Sequence, residues 1–199
     1  MREDQTGQDA PPDDESARLD ALSRAAAAGE AAAYRALLDR LARPLHGYAA
    51  RLLGETAEAE DVTQESFARL WRAYDLSPPR GPVRAWLYRT AHNLCIDRLR
   101  RRGRTMPLPA DDALGRHGLD ESPSGEERLQ SAARAQAVRG AIHALPERQK
   151  AAILLVHYQG LSGREAARTL DIGEDALESL LARGRRALKA ALLDRRGDL

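Results

Sequence analysis

Residues 82–104 read PVRAWLYRTAHNLCIDRLRRRGR. The segment opens on Gly81-Pro82, a turn followed by a residue whose fixed φ suits the first helical position. Val83, Trp86, Leu87, Thr90, Ala91, Leu94, Cys95 and Leu99 then recur at helical spacing, which predicts one buried stripe. The other face carries Arg84, Arg89, Asn93, Arg98, Arg100 and Arg101. From Arg80 to Arg104 eight Arg stand against the single acid Asp97, 8 − 1 = +7. A merely solvated face usually mixes signs, whereas this one is nearly all of one sign, with aromatics and an Asn near its start. Such a helix suits a nucleic-acid backbone.

Working back from it, the Pro-rich connection Leu76 to Gly81 is stiff rather than flexible. Before that, about Ala57 to Asp75 forms a helix whose Phe67, Leu70, Trp71 and Tyr74 fall at i, i+3, i+4 and i+7, one buried stripe. Asp61, Glu65, Ala68 and Arg72 group on a different face, with Gln64 at its boundary. By periodicity alone that face is wet, although it has the size to dock a partner helix. Earlier still, Glu30 to about Leu53 is helical, interrupted by Pro44, which should kink or split it. Gly54 stops it, and a first helix ends at Gly29.

Working forward, Thr105 to Glu127 holds six acids against Arg116, 1 − 6 = −5, and the tail Met1 to Glu15 likewise sums to 1 − 6 = −5. Both are rich in Pro, Gly, Asp and Ser and poor in large apolar residues, so neither builds a core. Ser124-Gly-Glu-Glu127 fits a capping box opening a helix to about Ala144. Pro146 to Gln159 is the most hydrophobic helix, closed by Gly160. A second capping box, Ser162-x-x-Glu165, opens a short helix to Leu170. The turn Asp171-Ile172-Gly173, with Ile172 as plug, leads to a longer helix from Glu174 to about Leu193. A short helix, a three-residue turn and a longer helix make a helix-turn-helix.

The expected fold is therefore all-α, since no stretch alternates at period two for long enough to make a strand. It divides into a tail (1–16), a four-helix bundle (17–104), a flexible acidic linker (105–126) and a helix-turn-helix domain (127–199). The formal net charge of +1 says little by itself, because the charge is segregated. One Cys excludes an intramolecular disulfide framework and fits a reducing, cytoplasmic setting. No apolar run is long enough to span a membrane, and the acidic start is unlike a signal peptide.

Catalytic patterns are missing. The chain has no phosphate-cradling Gly loop, no HExxH and no nucleophile elbow, so no enzymatic activity is expected. His92 and Cys95 share a helix face, but two ligands do not make a structural metal site, and Cys95 falls on the buried stripe. No metal or other cofactor is expected.

The motifs AEDVTQESFARLWRAY, VRAWLYRTAHNLCIDRLRRR and LPERQKAAILLVHYQGLSGREAARTLDI, in this order, resemble the extracytoplasmic-function (ECF) sigma factors of the bacterial sigma-70 family. The resemblance spans about Glu30 to Leu193. It implies that 17–104 is region two, that 127–199 is region four, and that the chain binds core RNA polymerase and directs it to promoter DNA. The face of Asp61, Gln64, Glu65, Ala68 and Arg72 would then dock on the β′ clamp helices rather than stay wet, with region four on the β flap. Arg80, Arg84, Trp86, Tyr88, Arg89, Asn93, Arg98, Arg100 and Arg101 would recognise and melt the −10 element. Glu178, Ser179, Arg183 and Arg186 would meet the −35 element. An anti-sigma factor would be a further partner.

Two departures stand out. The loop that forms the base pocket reads SPPRGPV, without the aromatic of many relatives. In the recognition helix, relatives usually carry basic residues where this chain has Glu178 and Leu180, and Glu174, Asp175 and Glu178 make its start acidic. Two other readings fit parts of the sequence: a stand-alone helix-turn-helix regulator, and a sigma mimic that sequesters an anti-sigma factor.

Overall fold

The computed structural model describes residues 14–76, 79, 81–105 and 125–194. Helices α1 (Asp14–Ala27), α2 (Ala31–Leu53), α3 (Thr56–Leu76) and α4 (Val83–Thr105) form one unit. The second unit is α5 (Gly125–His143), α6 (Glu147–Ile153), α7 (Gly163–Leu170) and α8 (Glu174–Asp194). No strand occurs among the described residues.

α2 is the central rod, packed against α1, α3 and α4. Its inward side buries Leu37, Leu41, Leu45, Tyr48, Leu52 and Leu53. Each fully buried leucine contributes roughly 2 kcal/mol by area. Pro44 does not divide this helix. The proline is exposed, so the carbonyl of Arg40 that loses its N–H partner is left to water rather than to the core. Gly54 ends the rod in the left-handed region at φ 76°, as a helix C-cap requires.

Three side chains fix α3 and α4 around that rod. Tyr34 Oη donates to the Phe67 carbonyl at 2.8 Å, and its ring meets Trp71 edge-on at 4.7 Å. Trp71 is nevertheless exposed, at the edge of the predicted stripe rather than within it, while Phe67, Leu70 and Tyr74 are buried. Asp20 of α1 accepts the Val83 N–H at 2.9 Å, so the start of α4 is capped from 63 residues away. Neither Gly81 nor Pro82 has a side chain able to accept that bond. At the other end, Arg102 bonds Glu55, Glu58 and the Leu53 carbonyl, pinning α4 to the α2–α3 corner.

In the second unit the expected continuous helix over Pro146–Gln159 changes pitch. α6 passes into a π-helical turn at Leu154–Tyr158, where Gln159 N–H reaches the Leu154 carbonyl at 3.0 Å. The wider turn holds back the residues after it by about one position relative to an α-helix, re-aiming Tyr158 and Gln159. The Ser162–Glu165 capping box is formed in both directions. Asp171 terminates α7 with φ 56° and ψ 48°. α8 lies close on α6 at Gly184, where an added Cβ would meet Ile153 Cγ1 at 2.9 Å.

Asp20→Ala removes the distant cap of α4. It is expected to cost about 1 kcal/mol, read as a lower urea midpoint at unchanged slope, with helix content of the folded state unaltered.

Candidate nucleic-acid and polymerase interfaces

The α3 face presents Asp61, Gln64, Ala68 and Arg72 to solvent, with Glu65 half-buried among them. Glu65 is the centre of its electrostatics. It accepts Arg69 Nε at 2.8 Å and Arg72 Nη2 at 3.4 Å. The Arg69 hydrogen bond, helped by the charges of both guanidinium groups, holds its carboxyl below the usual range. Gln64 Nε2 donates to Glu60 Oε1 at 3.4 Å. The result is an ordered strip of acid, amide, small residue and base, open along its length.

The candidate −10 residues do not share one surface. Arg98 turns toward α3, with Nη2 4.0 Å from Asp61 Oδ2. Trp86 packs partly buried against the core. Tyr88 is only 1 % exposed, so its ring is not available to a base in this arrangement. Arg101 is exposed, and Arg80 lies outside the described residues. Arg84, Tyr88, Arg89, Asn93 and Arg100 all face the second unit. Arg84 donates to the Gln159 carbonyl, and Tyr88 Oη to Gln159 Oε1 at 2.7 Å. Arg89 Nη2 lies 3.3 Å from Asp171 Oδ1. Asn93 and Arg100 line a cleft closed by Glu147, Arg148, Leu170, Ile172 and Leu180.

Beneath this contact is a buried polar cluster. Tyr48 Oη bonds His92 Nδ1 at 2.9 Å, and the Tyr48 and Tyr88 rings meet edge-on at 5.5 Å. Burial and the nearby Arg148 charge push His92 down to about 4, so its ring is neutral and accepts or donates without a net charge. Burial pushes the Cys95 thiol up to about 12, which makes it a packing residue rather than a reactive one. Among the described residues, no group of three His, Cys, Asp or Glu side chains gathers to hold a metal.

On α8, Leu177, Leu181 and Gly184 turn inward while Glu178, Ser179, Arg183 and Arg186 are exposed. At 100° per residue the four exposed positions span roughly 140° of the helix, opposite the buried stripe. Arg183 Nε folds back on the Ser179 carbonyl at 3.1 Å, and Glu178 Oε2 is 3.9 Å from Arg185 Nη2. Gln159 and Asp171 were not foreseeable as site residues. One follows an unpredicted π turn, and the other had only its turn position to mark it.

Two helical units with these faces define a two-part nucleic-acid-reading protein whose second part is a helix-turn-helix. Comparison with known proteins makes this specific. Sigma-70 region 2 matches residues 37–105, and Sigma-70 region 4 matches residues 135–188. The ECF RNA polymerase sigma factor SigL of Mycobacterium tuberculosis is 36% identical over 169 residues, 84% of this chain and 93% of that protein. CnrH, solved with the cytosolic domain of CnrY, superposes with a TM-score of 0.65 at 27% identity, over 89% of this chain and 98% of CnrH. The sigma factor RpoE of Bartonella quintana, solved with the anti-sigma factor NepR, shares the fold with a TM-score of 0.63 at 22% identity, over 80% of this chain and 96% of RpoE. The chain belongs to the ECF sigma factors of the sigma-70 family.

Because the folded-state His92 value lies below the ordinary 6.5, its contribution to stability is fully present above pH 6.5 and is lost as pH falls toward about 4. His92→Gln should reduce the acid loss between pH 7 and pH 4.5, by up to about 3 kcal/mol. Urea denaturation of both proteins at the two pH values measures it; identical losses would remove His92 as the cause.

Proposed function

We propose that this chain confers promoter specificity on core RNA polymerase, with the labour divided among its faces. The strip Asp61, Gln64, Glu65, Ala68 and Arg72 docks on the β′ clamp helices, and region four meets the β flap. α4 opens the −10 element. Its Arg84, Arg89, Arg100 and Arg101 neutralise phosphates, and Asn93 contacts a base. Arg80 and the Pro-rich loop hold the flipped base, and Trp86 and Tyr88 back the unstacked strand. Arg98 supports the helix through Asp61. Glu178, Ser179, Arg183 and Arg186 read the −35 element from the major groove, with Glu178 suited to a donor such as cytosine N4. The working compartment is the cytoplasm, where polymerase is found, and no described helix is long and apolar enough to cross a membrane. The anti-sigma complex of RpoE supports a similar partner here.

The observation that carries this reading is the presence of both sigma-70 regions, in order, on one chain. Run-off transcription with purified core polymerase on the chain's own upstream region tests it. Stimulation is expected, and none on any candidate promoter would sink it. Ala at Asp61, Gln64 and Glu65 together should abolish holoenzyme assembly in a pull-down. A stand-alone regulator or a sigma mimic would not stimulate transcription at all.

With the assembled holoenzyme, Arg100→Ala should weaken open-complex formation on every promoter and reduce the salt slope by about 1. Substitutions in the Ser77–Pro79 loop should instead change which promoter is preferred. Permanganate footprinting across a salt series separates the two.

A further inference from the structure

Between α2, α5 and the π turn lies a cleft of about 430 Å³, none of whose lining residues is assigned to polymerase or to DNA. Its volume is that of a small-molecule site. The lining carries Arg51, Arg134, Arg139 and His143 and no carboxylate. Among the described residues, none of the three guanidinium groups has an acid partner. On α5 two neighbouring i, i+4 rows, Arg134–Val138–Ile142 and Ala135–Arg139–His143, set cations beside apolar side chains on one helix face. Arg51 is held in place from α2. Its Nη1 donates to the Gly47 carbonyl at 2.8 Å, and its guanidinium carbon stands 5.1 Å from the centre of the Tyr158 ring. Gly47 makes room for this: a Cβ there would lie 2.9 Å from Arg51 Nη1. Glycine weakens a helix, and the backbone at 47 has no positive φ that would call for one. Tyr158 is 44% exposed, which keeps aromatic surface open beside the cations. Burial, together with the charge of Lys150, holds His143 below its ordinary range, and no anion offsets it.

We propose that this cleft binds a nucleoside polyphosphate, with the phosphates on Arg51, Arg134 and Arg139 and the base against Tyr158, Val138 and Ile142. Guanidinium groups take phosphate oxygens two at a time, and three of them with no acid nearby call for a ligand bearing more than one negative group. The remaining wall offers an aromatic ring and two branched aliphatic side chains, which suits a flat, largely apolar ring. A single carboxylate would leave two of the cations unpaired. The site does not depend on the polymerase or promoter assignments. It does need both units, since Arg51 belongs to α2 and the other lining residues to α5 and the π turn.

Isothermal titration calorimetry on the full chain, without polymerase, tests the site with GTP and ATP as probes, beside inorganic triphosphate and a hexaglutamate peptide. At least one nucleotide should bind with a Kd on the order of 10 μM, and inorganic triphosphate about tenfold more weakly. Arg51→Ala and Arg139→Ala should each weaken nucleotide binding about tenfold. Lys189→Ala, which removes an exposed cation outside the cleft, should leave it unchanged. Gly47→Ala separates a lost contact from a lost fold: it should keep or raise the Tm while displacing Arg51 and weakening binding about fivefold. Failure of both nucleotides to bind, or binding indifferent to Arg51→Ala and Arg139→Ala, would overturn the site. Inorganic triphosphate binding as tightly as the nucleotides would overturn the base contact. Hexaglutamate binding more tightly than either nucleotide would give the cleft to an acidic peptide and overturn the proposal.

Discussion

A buried hydroxyl needs a hydrogen-bond partner, and in this chain two tyrosines turn that requirement into architecture. Tyr48, fully enclosed on α2, finds His92 of α4, and its ring meets Tyr88. Tyr88 in turn donates its hydroxyl to Gln159 of the other unit. The chain of contacts runs from the central rod, through the basic helix, into the end of α6. Breaking its middle would strand polar groups in the core, so α4 is held in rotation about its axis. That rotation decides which of its many arginines face the protein and which face outward.

The same constraint explains why a highly basic helix is tolerated inside a compact arrangement. Its cations are distributed rather than clustered against one another. Arg98 looks to Asp61, Arg102 to the acids of the α2–α3 corner, Arg89 to Asp171, and Arg84 to a helix C-terminal carbonyl. The acceptors are spread over α3 and its corner with α2, the end of the π turn and the turn of the helix-turn-helix. The helix is thus a structural hub whose contact with Asp171 of the second unit is exposed, while Arg102 at the α2–α3 corner is less so.

Much of the fold was legible in local chemistry. Gly54 ended α2 where a left-handed cap was needed, and Ser162 with Glu165 opened α7 because the capping box is a contact within one helical turn. The exposed polar strip on α3 was also readable, though helical periodicity by itself left it wet; the polymerase-docking role proposed for it comes from family resemblance. The failures share a cause. Pro44 leaves α2 in one piece because its freed carbonyl faces water, Trp71 slips to the edge of its stripe, Tyr88 is buried under the second unit, and Arg98 turns toward Asp61. Each depends on what stands opposite a side chain, which spacing along one helix does not encode.

The sequence by itself determined the helices, their caps, the segregation of charge and the pairing of two sigma-70 regions, all properties of neighbouring residues or of ordered motifs. Only the tertiary structure decided that the π turn aims Gln159 at α4, that Asp171 meets Arg89, and that the two reading units face one another. Those contacts join residues 71 to 82 positions apart. They arise because burial of the Tyr48–Tyr88–His92 cluster sets how α4 is turned, and no local propensity specifies that angle.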